Sequence, residues 1–168
     1  MILTDTKKIK YYTDMGVWAN ETLVDVFQKN VKDYPERIAL ADPLNKEQLV
    51  GSPAERISYA DLGERVDILA TKLLARGFKK DDIVIVQLPN IWELTLIYMA
   101  LARIGAIFSP LPMQWREKEF NYICDLSQSV SYISVENFAG FDHIDMVKKV
   151  AKDHPSLKDI ITLDELKK

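Results

Sequence analysis

Residues Val86 to Phe120 read VQLPNIWELTLIYMALARIGAIFSPLPMQWREKEF, and the order of patterns inside them decides the fold. They enter from DIVIVQL (Asp82 to Leu88), whose unbroken β-branched centre is that of a strand covered on both faces. Ile91 to Ile104 is apolar nearly all round, which predicts a buried helix rather than an amphipathic one. Asn90 and Glu93 are spaced to cap its start reciprocally, and Gly105 to end it. AIFSPLP (106–112) then gives a short strand closed by Pro110 and Pro112, neither of which suits a central ladder position. Strand, helix and strand at this spacing imply a right-handed crossover and a parallel pair.

The same alternation continues on both sides. Upstream, Ser58 with Asp61 resembles a capping box, Leu62, Val66, Leu69, Ala70, Leu73 and Leu74 form a helical stripe, and Gly77 sits where a C′ glycine belongs. Downstream come a helix over Arg116 to Leu126, a strand over Ser129 to Val135, a helix from Asp142 to His154 stopped by Pro155, and a last strand over Lys158 to Thr162. The expected fold is α/β: an open, mostly parallel sheet with helices on both faces. Arg37 to Asp42 and Glu55 to Ser58, separated by a loop-like Pro43 to Pro53, add a short N-terminal hairpin with a long tip. Before it, Asn20 caps an expected helix over Glu21 to Tyr34, with Leu23, Phe27, Val31 and Tyr34 on its apolar face. Met1 to Ala19 read as a polar arm anchored by Tyr11, Tyr12 and Trp18. The expected division is therefore an arm at 1–19 and an α/β subdomain at 20–168.

Composition narrows the function classes. Apolar residues at 48% and charged residues at 28% are those of an ordinary globule. A net charge of −3 without a basic stripe argues against a nucleic-acid partner. The single cysteine, Cys124, excludes an internal disulfide and suits a reducing, cytoplasmic setting. The start, MILTDTKKIKYYTD, lacks the apolar stretch of a signal peptide. The longest apolar run, Leu96 to Ala102, is far short of the roughly 20 residues of a membrane span.

Signatures of self-contained catalysis are missing: no P-loop, no G-x-G-x-x-G after a strand, no H-E-x-x-H, no C-x-x-C and no G-x-S-x-G. His143, beside Asp142 at a helix start, reads as a surface or capping residue. His154, before Pro155, reads as a cation at a helix end. Cys124 shares an apolar helix side with Phe120 and Ile123 and reads as a small hydrophobe. The pairs Lys79–Lys80 and Lys148–Lys149 read as solvated faces, and Trp92 as packing. The loop PLPMQWREK (110–118) stands apart, because it follows the carboxyl end of a strand, where open α/β sheets bind ligands. It carries Gln114, Trp115, Arg116 and Lys118, and an arginine there can grip a phosphate with two hydrogen bonds. The competing reading is a loop whose charges cap the next helix and meet Glu119 or Asp125.

Four stretches carry a family resemblance: ETLVDVFQKNVKDYPERIAL (21–40), ISYADLGERVDILATKLLARGFKKDDIVIVQLPN (57–90), ALARIGAIFSPLPMQWREKEF (100–120) and GFDHIDMVKKVAKDHPSLKDII (140–161). In order and wording they resemble the start of the adenylate-forming (AMP-dependent) acyl-CoA synthetase superfamily, nearest to its aryl- and alicyclic-acid ligases. The resemblance implies an enzyme in which a carboxylic acid attacks the α-phosphate of ATP, with Mg2+, and the thiol of coenzyme A then displaces AMP. It also implies that the phosphate loop, the ribose-binding acid and the catalytic lysine lie beyond Lys168. No catalytic residue and no metal ligand is therefore expected here, and no cofactor is expected to be held by these residues alone. The expected partners are the remainder of a parent enzyme and a small carboxylic acid, with pairing through an exposed apolar face. In some such ligases an arginine after P-L-x-P meets the coenzyme A nucleotide. Gln114 stands at that position and Arg116 two residues on, so both are candidate contacts. Two other readings remain at this level: an aryl-acid–AMP ligase that loads a carrier protein, and a free-standing flavodoxin-like binding module.

Overall fold

A computed structural model describes residues 4–167. Helix α1 (Thr6–Asp14) opens the chain, with the Asp5 carboxylate accepting the Lys7 N–H at 2.7 Å. The expected arm is thus partly helical, and its first three residues lie outside the described ones. Tyr11, Tyr12 and Trp18 do not anchor it to the body. They stack on one another at centroid distances of 5.3 and 5.1 Å, remain exposed, and α1 buries no residue. Helix α2 (Leu23–Asp33) is capped by Thr22 rather than Asn20, because Thr22 and Asp25 close a reciprocal capping box. Of its expected apolar face, Phe27 is buried and Val31 half-buried, while Leu23 and Tyr34 face solvent.

Strand β1 (Ile38–Ala41) leads into a loop containing a short helix, α3 (Lys46–Val50), and returns as β2 (Arg56–Ser58), antiparallel to β1. The hairpin is as expected; the helix at its tip is not. Helix α4 (Tyr59–Ala75) starts at Ser58, whose Oγ accepts the Asp61 N–H at 3.1 Å, and ends at Arg76 followed by Gly77 with φ +98°. Leu62, Val66, Leu69, Ala70 and Leu73 are buried as the stripe predicts, whereas Leu74 falls on the wet side.

The central sheet follows. Its strands β3 (Ile83–Gln87), β4 (Ile107–Pro110), β5 (Ser131–Ser134) and β8 (Asp159–Thr162) are all parallel in the order β4-β3-β5-β8. Helices α5 (Trp92–Arg103) and α6 (Glu117–Ser127) make the crossovers around β3 and β4. A small antiparallel turn of β6 (Asn137–Phe138) and β7 (Phe141–Asp142) precedes α7 (His143–Val150), and α8 (Leu163–Lys167) ends the described chain. Alternate residues of β3 explain its unbroken apolar run. Val84 and Val86 enter one core with Leu73, Ile97 and Leu101 of α4 and α5, and Ile85 enters the other with Phe120 and Val147 of α6 and α7. Pro110 is tolerated because β4 is an edge strand. Asp142 caps α7, its Oδ1 accepting the Asp145 N–H at 2.7 Å, and that helix is shorter than the pattern suggests.

One buried ionic cluster ties the hairpin to the sheet layer. Lys46 of α3 is fully buried and donates to Asp42 Oδ2 at 2.8 Å and Glu93 Oε1 at 3.0 Å. Asp42 also accepts the N–H groups of Glu55 at 2.9 Å and Trp92 at 2.8 Å. The reciprocal cap expected from Asn90 and Glu93 is therefore absent: Asp42 caps α5 from the hairpin, and Glu93 turns inward to Lys46.

Candidate functional site at the carboxyl edge of the sheet

Parallel strands bring all their carboxyl ends to one edge, and the loops leaving β3 and β4 flank a cleft there of about 520 Å³. Leu88, Pro89 and Asn90 line one side, Pro112, Met113 and Gln114 the other, and Phe138 closes the end. Gln114 and Asn90 are exposed to solvent in this cleft. The ladder continues past β4, since the Leu111 N–H donates to the Val86 carbonyl at 2.9 Å, which starts the loop from a fixed point.

Arg116 lies at the far end of this loop and is half-buried. Its backbone N–H donates to Glu119 Oε2 at 3.1 Å, which caps α6. That bond is the main reason the Glu119 carboxyl lies below the usual carboxylate range. Arg116 Nη1 donates to the carbonyls of Met113 at 2.6 Å and Trp115 at 2.9 Å, and its guanidinium lies 4.0 Å from the centre of the Phe141 ring. The remaining donors, Nε and Nη2, have no hydrogen-bond partner among the described residues. Gln114 and Arg116 thus share one loop, with Gln114 in the cleft and Arg116 at its far end.

Beneath the loop is a buried polar network that sequence reasoning missed. Gln87, at the end of β3, donates through Nε2 to the carbonyls of Pro112 at 2.7 Å and Trp115 at 3.2 Å. Its Oε1 accepts the Tyr132 hydroxyl at 2.7 Å and lies 3.3 Å from His143 Nδ1. Ser134 Oγ donates to the Gln87 carbonyl at 2.7 Å. Gln87, Tyr132, Ser134 and His143 are each 0–1% exposed. The Tyr132 hydroxyl is pushed well above its ordinary pKa by burial. His143 corrects the surface reading. Its ring packs edge-on to Phe141 at 5.0 Å, and burial, with the nearby Arg116 charge, lowers its pKa to about 4. The Asp142 carboxylate, which would raise it, is outweighed. The one available signal was Gln87 itself, a polar residue closing an otherwise apolar buried strand.

His154 is also buried, with Nε2 2.9 Å from Asn121 Oδ1 and Nδ1 3.6 Å from Asp125 Oδ1. Cys124 packs as expected, and burial pushes its thiol up to about 11, where it is a poor nucleophile. Trp92 is buried with Phe27, Leu62 and Val66, and the Arg65 guanidinium lies 4.7 Å from its ring. Among the described residues, no group of three His, Cys, Asp or Glu side chains is placed to hold a metal ion. No helix among them is long and apolar enough to cross a membrane.

Comparison with known proteins shows the family and the fold. The AMP-binding enzyme family matches residues 27–168. The 2,3-dihydroxybenzoate-AMP ligase of Bacillus subtilis is 34% identical over 155 residues, covering 92% of this chain and 27% of that protein. The medium-chain fatty-acid–CoA ligase of Escherichia coli is 28% identical over 155 residues, covering 92% of this chain and 26% of that protein. The apo structure of Mycobacterium smegmatis MbtA superposes with a TM-score of 0.79 at 23% identity, covering 95% of this chain and 27% of that one, a likeness of fold. The chain spans about a quarter of the length of the curated relatives it matches. The expected resemblance and α/β fold are both borne out, and the chain belongs to the AMP-binding enzyme family.

Proposed function

We propose that this chain is the N-terminal scaffold of a larger ATP-dependent acid–thiol ligase, with residues 1–19 as an arm and 20–168 as the α/β subdomain. The observation that carries the reading is the family match over residues 27–168, together with acid-ligase relatives of which the match covers only about a quarter. In the whole enzyme a carboxylate displaces pyrophosphate from ATP, assisted by Mg2+, and a thiol then displaces AMP from the acyl adenylate. The parts that grip ATP, Mg2+ and the acid come from the remainder of the parent, in the cytoplasm. This chain contributes the carboxyl-edge loop. Arg116, with two guanidinium donors to spare, meets a phosphate of the coenzyme A nucleotide, and Gln114 lines the approach.

A second reading keeps the chemistry and changes the acceptor to a carrier protein, favoured by the identity to the Bacillus subtilis AMP ligase. Thioester formation by the full-length parent with coenzyme A or with a carrier protein separates the two. In Arg116→Ala a raised KM for coenzyme A at unchanged kcat for pyrophosphate exchange supports the Arg116 contact, and an unchanged KM refutes that contact. The isolated chain is expected to show no ATP–pyrophosphate exchange with any carboxylic acid; measurable exchange would overturn the scaffold assignment.

A further inference from the structure

We propose that Gln87 is a positioning residue: its buried carboxamide sets the conformation of the 112–116 loop and through it orients Arg116 toward an anionic ligand. The ligand identity rests on the nucleotide reading above; the positioning role stands on geometry of its own.

Gln87 has two amide hydrogens, and the structure uses both on one target. Nε2 donates to the carbonyls of Pro112 and Trp115, which bracket the loop three residues apart. Trp115 O is shared, because it also accepts from Arg116 Nη1. The orientation of the carboxamide is set from the opposite side. Oε1 receives the Tyr132 hydroxyl, and His143 Nδ1 faces the same oxygen, so the neutral His143 carries its proton on Nδ1. Reversing the amide would point Nε2 at these donors and leave two loop carbonyls unserved. The contacts then close a circuit. Gln87 holds the loop, the loop carbonyls hold Arg116, the Arg116 guanidinium covers Phe141, and the Phe141 ring abuts His143, which returns to Gln87. Arg116 is therefore held from both ends by one network, which leaves Nε and Nη2 without a partner among the described residues. A surface arginine ordinarily samples many rotamers; here the ordering is already in place before a ligand arrives.

The test uses the full-length parent, amide hydrogen exchange and titration with coenzyme A. Gln87→Met keeps the side-chain volume and removes both donors. Exchange across residues 113–117 should rise at least tenfold while the strands of the sheet keep their protection. The dissociation constant for coenzyme A should rise about tenfold, as in Arg116→Ala, and the double variant should bind no more weakly than Arg116→Ala alone. Gln87→Glu, which keeps the acceptor for Tyr132 and His143, carries the same expectation if the methionine variant does not fold. Tyr132→Phe removes one of the two donors to Oε1 and leaves His143 to orient the carboxamide, so loop exchange and affinity should change less than in Gln87→Met. A folded Gln87 variant with unchanged loop exchange overturns the positioning role. Effects of Gln87 and Arg116 that multiply overturn its action through Arg116. If the unaltered parent does not bind coenzyme A, the nucleotide reading fails, while loop exchange still decides the role of Gln87.

Discussion

His143 shows how far a side chain's meaning depends on what surrounds it. Next to Asp142 at a helix start it has every mark of a surface cap, yet it is fully buried against Gln87 and Phe141. Its pKa near 4 lies below the free value of 6.5, so the folded state binds fewer protons than the unfolded chain between these limits. The stability contributed by neutral His143 is complete above pH 6.5 and declines as pH falls toward 4. The total is on the order of 3 kcal/mol. Urea unfolding at pH 7 and pH 4.5 measures it, and His143→Gln should flatten the difference. An equal pH dependence in the variant would place the acid sensitivity elsewhere. Asp42 works in the same direction at lower pH. Burial opposes its ionisation, but hydrogen bonds from Lys46, Glu55 and Trp92 outweigh that and hold the carboxyl below its ordinary range.

Helices and hairpins dock through a few specific contacts. Lys46 joins the tip helix α3 to α5 through Asp42 and Glu93, all inside the protein. Lys46→Ala removes the buried cation that Asp42 and Glu93 share and should cost about 3–5 kcal/mol in denaturant unfolding. A loss below 1 kcal/mol would mean that water reaches the cluster. Helix α4 meets α2 at Gly63, where an added Cβ would stand 2.9 Å from Val31 Cγ1. Val31 is β-branched and cannot easily turn away. Gly63→Ala should therefore destabilise the native chain by about 1 kcal/mol, overpacking exceeding the helix-propensity gain. In a Val31→Ala background the same change should stabilise by about 1 kcal/mol. That reversal of sign is the result to look for in thermal or urea melts.

The molecule as a whole has a well-formed sheet and unpartnered apolar groups around it. Leu23, Val26 and Tyr34 near α2, and Ile68 and Leu74 on α4, are each 44–54% exposed. Such groups are natural places for the remainder of a larger enzyme, or a second copy, to pack. Sedimentation equilibrium of the isolated chain should show a weight-average mass rising with concentration. Val26→Glu should shift that rise to higher concentration. A strict monomer at millimolar concentration would count against pairing through these groups.

Periodicity, caps and punctuation in the chain were enough to determine the parallel sheet, its crossovers, the hairpin and the edge position of the proline-bearing strand, because these depend on local patterns of burial. The 110–118 loop was legible too, since it follows a strand end. Which polar residues turn inward was decided only by tertiary structure. Lys46, Gln87 and His143 find partners 47, 45 and 56 residues away in sequence. No local pattern announces a hydrogen bond that exists only once two distant segments have excluded water between them.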